Sequence, residues 1–246
     1  MGKKPLALCV VSTFLIVSDY NNMKINSILT LSILCLSLWA CQSEPTKNAG
    51  NIPVQAKDLP VPAAKKNIVF FGNSLTAAYQ LSPEQGFTAL LQFRLDSLKL
   101  SYTCVNSGLS GETTADGVNR IDWVLQQPVD IFFLELGGND ALRGLPVTAS
   151  KKNLEIILEK VKAKYPTCKI ILAGMLAPPN LGAAYTIAFR DMYPALSKSQ
   201  GVSLIPFLLE NVGGMPELNL PDGIHPNVKG QKIVAENVWK VLKPLL

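Results

Sequence analysis

From Asn67 onward the chain alternates short apolar runs, rich in β-branched and aromatic residues, with longer stretches in which apolar positions recur every three or four residues. Runs such as NIVFF and DIFFLEL have no polar alternation, as expected of strands buried on both faces of a parallel sheet covered by helices. The pattern predicts strands at Ile68–Phe71, Tyr102–Val105, Ile131–Leu136, Lys169–Ala173 and Ser203–Ile205. It predicts helices at Phe87–Leu98, Thr113–Leu125, Thr148–Lys164, Ala184–Ser199 and Lys229–Leu242, the last with Ile233, Val234, Val238, Val241 and Leu242 on one face. The expectation is an α/β domain of five βα units over residues 67–246.

The first 41 residues have a different character. Two apolar runs, Leu6 to Val17 and Ile25 to Ala40, are each shorter than the roughly 20 residues of a comfortable membrane span. The second begins at Met23-Lys24 and ends Leu38-Trp39-Ala40-Cys41, which resembles a bacterial lipoprotein signal. Residues 1–41 are therefore read as a leader, with Cys41 as the lipidated first residue of the mature protein; the other reading is an ordinary secretory signal cleaved nearby. Met23 supplies a complete signal by itself and is an alternative start. Residues 42–66 carry four prolines and no apolar period, the composition of an extended tether. The expected location is outside the cytoplasm, on a membrane, facing the periplasm or the cell surface.

Charge narrows the partners. Lysine and arginine number 23 against 18 acidic residues; removing three lysines and one aspartate with the leader leaves 20 and 17, a net +3. There is no basic stripe interleaved with aromatics, so nucleic acid is not an expected partner, and Lys160, Lys162 and Lys164 read as a solvated helix face. Of five cysteines, Cys104 and Cys168 lie beyond the leader. An exported protein could bridge them, but both start predicted strands, and two buried free thiols are expected. No Cys-x-x-Cys pair occurs and His225 is the sole histidine, so no metal site is expected.

Ligand sites in open parallel sheets lie beyond the carboxyl ends of the strands. Polar, turn-forming clusters fall there: Gly72-Asn73-Ser74 after the first strand, Asn106 to Gly111 after the second, Gly137-Gly138-Asn139-Asp140 after the third, and Asp222 to His225 after the fifth. Each cluster alone could be a turn or a helix cap, and His225 could simply pack at a loop-to-helix junction. Together they assemble one chemistry. Ser74 needs a base to take its proton, His225 is the side chain able to do so near neutral pH, and Asp222 can fix its tautomer. The N–H groups of Ser74 and Gly111 and the amide of Asn139 could receive a developing oxyanion.

The four clusters resemble, in order, the motif blocks of the SGNH hydrolases, also called GDSL esterases and lipases: FFGNSLTAAY the nucleophile block, NSGLSGETT the glycine block, LELGGNDALRG the asparagine block and DGIHPN the Asp-x-x-His block. The resemblance covers about residues 67–244. Its wording is most similar to the multifunctional periplasmic arylesterase, thioesterase and lysophospholipase subgroup. It implies a three-layer α/β/α sandwich with a five-stranded parallel sheet in flavodoxin-like order. It also implies Ser74 as nucleophile, His225 as base, Asp222 as its partner, and Ser74, Gly111 and Asn139 as oxyanion donors. Gly111 is preferred to Gly108 because Ser110-Gly111-Glu112-Thr113 matches the family's Ser-Gly-acid-Thr pattern. One residue departs: Asn73 stands where the family name records aspartate, which removes a negative charge near the site while keeping an acceptor.

Leu109, Leu142, Leu145, Leu176, Pro178, Pro179, Leu181 and Ile224 in the rim loops are candidates for an apolar wall, although about half of them are expected simply to pack against the sheet. The expected activity is hydrolysis of short to medium acyl, aryl or thio esters, or of lysophospholipid, through an acyl-enzyme with no cofactor. Two rivals are a carbohydrate O-acetylesterase on the same scaffold, which the shortage of aromatics in these loops disfavours, and an inactive lipid-anchored binding protein, for which Asn73 is the one supporting feature.

Overall fold

A computed structural model describes residues 64–246; the predicted leader and nearly all of the tether lie outside the described residues. Five parallel strands, β1 (Lys66–Gly72), β2 (Tyr102–Gly108), β3 (Ile131–Glu135), β4 (Lys169–Ala173) and β5 (Ser203–Ile205), form one sheet in the order β2-β1-β3-β4-β5. This is the expected flavodoxin-like order. Helix α1 (Phe87–Ser97) packs with the C-terminal α6 (Val228–Leu242) on one face, while α2 (Thr114–Val124), α4 (Val147–Lys164) and α5 (Ala183–Gln200) pack side by side on the other. The central strands are apolar on both faces for that reason: Ile68 to Phe71 and Ile131 to Leu134 are all buried, with Phe70 and Phe133 meeting Phe87 of α1 and Phe71 tilted against Phe132. Burying each such side chain is worth about 1.5–3 kcal/mol, which makes β1 and β3 the anchor of the domain.

Two expectations are corrected at strand ends. Asn106, Ser107 and Gly108 belong to β2 and not to the loop after it, because β1 continues beside them as far as the Gly72–Gly108 pair. Gly108 cannot carry a side chain, since a Cβ there would lie 2.4 Å from the Ala77 nitrogen in the turn after β1. The Gly137–Asp140 segment, which reads as a tight turn, instead opens a short helix, α3 (Gly138–Leu142).

The cysteines are also corrected. Cys104 and Cys168 are free but half-buried, because one lies on the edge strand and the other just before β4. Three strand spacings separate β2 from β4, about 14 Å, twice the reach of a disulfide. Burial pushes both thiols up to about 12, where they are unreactive.

Candidate active site

The order reverses at β1, which pairs with β2 on one side and β3 on the other, so the loops leaving these three strands open on one crevice. The turn after β1 carries Ser74. Its backbone is held from below: the Asn73 N–H and the Thr76 hydroxyl both donate to Glu135 Oε2, at 3.0 and 2.9 Å. Glu135 ends β3 and is fully buried. Asn73 Oδ1 accepts the Leu75 N–H at 3.0 Å, an Asx turn that presents the serine hydroxyl to the crevice.

The loop from β5 to α6 supplies the other half. Gly223, at φ 68°, lets the chain reverse within Asp222–His225, and the Leu220 N–H donates to the His225 carbonyl at 2.7 Å. Asn227 caps α6 by accepting from the Lys229 and Gly230 N–H groups while its Nδ2 donates to the Glu217 and Asn219 carbonyls. One side chain thus ties the helix start to the loop bearing the histidine.

Across the crevice, Ser74 Oγ lies 2.8 Å from His225 Nε2, and His225 Nδ1 lies 2.7 Å from Asp222 Oδ2. The other carboxylate oxygen of Asp222 accepts the N–H groups of Ile224 and His225 at 2.9 and 3.0 Å. Burial alone would raise the Asp222 carboxyl, but these N–H donors and the imidazole outweigh it and hold the group below its ordinary range. An ionised carboxylate only accepts, so Nδ1 carries the imidazole proton and Nε2 is left as the acceptor for the serine O–H. Asn73 Oδ1, at 3.4 Å from Ser74 Oγ, is the poorer partner.

Gly111, at φ 84°, follows β2, and its carbonyl accepts from Arg143 Nη2 at 3.0 Å. Asn139 Nδ2 donates to the Glu112 carbonyl at 2.9 Å, which uses one of its two N–H bonds and fixes the plane of the amide. Glu112 is buried and paired with Arg120, whose guanidinium lies over Phe71 at 4.4 Å. The buried Asp140 accepts from Thr114 N–H and O–H and from Ser150, locking α3 to α2 and α4. The N–H groups of Ser74 and Gly111 have no acceptor among the described residues. The arrangement holds a serine–histidine–aspartate relay and three N–H sources at one crevice, the parts that acyl transfer needs.

Ser74, Gly111, Asn139 and His225 all line a cleft of about 400 Å³, whose walls are Leu75, Tyr79, Leu142, Met175, Leu209 and Ile224. Of the expected apolar wall, Leu142 and Ile224 are there. Leu109 lies instead in an adjoining shallow depression with Asp116, Asn119 and Arg120. Leu145 and Pro178 are outside the cleft: the Leu145 N–H closes the end of α3 on the Asp140 carbonyl, and Pro178 begins a 3-10 turn leading to α5. Reasoning from sequence missed Leu75, Tyr79, Met175 and Leu209; Leu75 and Tyr79 lie within the nucleophile block, and Met175 follows the end of β4. A larger groove of about 690 Å³ between α1 and α6 contains no serine–histidine pair. Among the described residues no three His, Cys, Asp or Glu side chains converge as a metal site.

A family model described as GDSL-like Lipase/Acylhydrolase matches residues 70–233. The chain is 40% identical over 185 residues to esterase TesA of Pseudomonas aeruginosa, covering 75% of this chain and 91% of that protein. It is 36% identical to thioesterase 1/protease 1/lysophospholipase L1 of Escherichia coli K12, over 75% of this chain and 86% of that one. It is also similar to the crystal structure of the psychrotrophic esterase EstA from Pseudoalteromonas sp. inhibited by monoethylphosphonate, with TM-score 0.69, 31% identity, and coverage of 73% of this chain and 98% of that one.

Proposed function

The chain belongs to the GDSL-like lipase/acylhydrolase family and is a carboxylic ester hydrolase, and we propose that it cleaves short to medium acyl, aryl or thio esters and lysophospholipids through Ser74, His225 and Asp222. Ser74 Oγ attacks the acyl carbon as its proton passes to His225 Nε2. Asp222 holds the resulting imidazolium, and the Ser74 N–H, Gly111 N–H and Asn139 amide receive the oxyanion. Collapse expels the alcohol or thiol, which takes the proton from Nε2 and leaves an acyl-Ser74. Water, deprotonated by His225, then releases the acid and restores the serine. The apolar walls of the cleft suit the acyl chain.

The observation that carries this reading is the continuous contact from Ser74 Oγ through both imidazole nitrogens to Asp222, at 2.8 and 2.7 Å, at the mouth of that cleft. The test is hydrolysis of p-nitrophenyl esters from acetate to palmitate by the full-length chain, with Ser74→Ala alongside and fluorophosphonate labelling of both. Turnover and labelling present in the wild type and lost in the variant support it. A sharp preference for acetate would favour the carbohydrate O-acetylesterase reading, and no turnover with no labelling the binding protein. We also propose export, with Cys41 lipidated and residues 42–66 as a tether that keeps the enzyme at a membrane, where lysophospholipid is a natural substrate. Equal incorporation of radioactive fatty acid into wild type and Cys41→Ala would overturn the anchor.

A further inference from the structure

Tyr79 is tied to both reacting groups. Its ring lies on the His225 imidazole with centroids 4.6 Å apart and planes inclined by 40°. Its N–H donates to the carbonyl of Ser74 at 3.0 Å. The residues on either side, Ala78 at φ 55° and Gln80 at φ 59°, both adopt the left-handed conformation that side-chain-bearing residues rarely hold. Ala78 is buried, and its Cβ lies where a side chain on Gly86 would have to be, so the turn is packed in place. Backbone strain on both sides of one residue persists only where the surroundings enforce it, and here its effect is to bring one aromatic ring over the imidazole.

We propose that Tyr79 is the positioning residue of the base, its ring fixing the plane of His225 and stabilising the imidazolium formed when Ser74 gives up its proton. The separation is within the range for both aromatic stacking and cation–π attraction. The contact strengthens when the ring beneath it becomes charged, so it favours the transition state over the resting enzyme. Asp222, on Nδ1, is the charged side chain bonded to the imidazole, and no Asp, Glu, Lys or Arg lines the cleft, so little else screens the effect. Tyr79 is 39% exposed and its hydroxyl has no hydrogen-bond partner among the described residues, which leaves the ring as the part that meets the imidazole.

This inference rests on the serine hydrolase reading, and the test separates the two. His225 is the sole histidine, so its ring resonances in the full-length chain can be followed by NMR without ambiguity. Steady-state hydrolysis and the His225 titration are compared in wild type, Tyr79→Phe and Tyr79→Leu. Tyr79→Phe is expected to keep kcat within about twofold and an unchanged midpoint. Tyr79→Leu is expected to lose roughly fivefold in kcat with little change in KM, and to lower the His225 midpoint by about half a pH unit. Melting temperatures control for folding, and rescue by phenylalanine distinguishes loss of the ring from loss of the turn. An unchanged kcat and midpoint in Tyr79→Leu, a change in KM alone, or equal losses in both variants overturns the proposal while the triad stands. A wild type that neither turns over nor labels with fluorophosphonate overturns both.

Discussion

Glu135 lies directly beneath Asn73, with Oε2 accepting the Asn73 N–H at 3.0 Å and Oε1 without a partner among the described residues. A fully buried carboxyl supports the turn that presents Ser74. Burial pushes it up to about 7, against the opposing pull of the Thr76 and Asn73 donors.

That shift predicts a pH-dependent stability. Below the unfolded value of 4.5 both states are protonated; from there to about 7 the unfolded chain releases a proton that the folded chain keeps. Stability therefore falls as pH rises through this window and levels off above it. The loss is about 3 kcal/mol from this one group. Urea denaturation of wild type and Glu135→Gln at pH 4.5 and 8 measures it, and the difference between the two proteins should narrow or reverse by that amount.

Asn73→Asp restores the family's residue. The Leu75 N–H still has its acceptor, so the turn persists and the variant remains active. The added charge stands beside Ser74, on the Leu75 N–H, while the backbone N–H of the same residue still donates to Glu135. It favours the imidazolium of His225, and the acid limb of the kcat/KM profile should move up by as much as about one unit. It also repels ionised Glu135, so the variant should lose stability above pH 7 relative to wild type.

Asn139→Ala removes the proposed oxyanion donor together with the bond to the Glu112 carbonyl. A fall of about 10²–10³ in kcat with KM nearly unchanged is expected, since the donor is used chiefly in the transition state. Steady-state kinetics on one p-nitrophenyl ester decides this.

Asn227→Ala breaks the cap of α6 and both ties to the Glu217 and Asn219 carbonyls. The cap alone predicts a loss of about 1–2 kcal/mol in denaturant unfolding. Because the same side chain braces the His225 loop, kcat should fall as well, whereas a lost cap elsewhere would leave it unaltered.

The sheet was legible because its signal is local. NIVFF and DIFFLEL are apolar without alternation wherever they are placed, and the predicted bounds of β4 and β5 match the observed ones. The ends of β2 were not legible, since Asn106 and Ser107 look like loop residues until β1 is seen to run beside them. Leu145 and Pro178 share the composition of Leu142 and Ile224; only the direction of the chain around α3 and before α5 separates those that face the cleft from those that do not.

The fold class and the chemical groups on offer are written along the chain, because burial periodicity and turn-forming clusters are properties of neighbouring residues. Which of those groups meet depends on how the domain packs. Ser74 and His225 are 151 residues apart and 2.8 Å from each other, Glu135 acts from under a turn on another strand, and Tyr79 reaches the imidazole through a backbone turn that composition does not announce. Contacts of that kind depend on strand register, on left-handed backbone at particular residues and on which face a loop presents, and these are set by packing of the whole domain rather than by any segment of it.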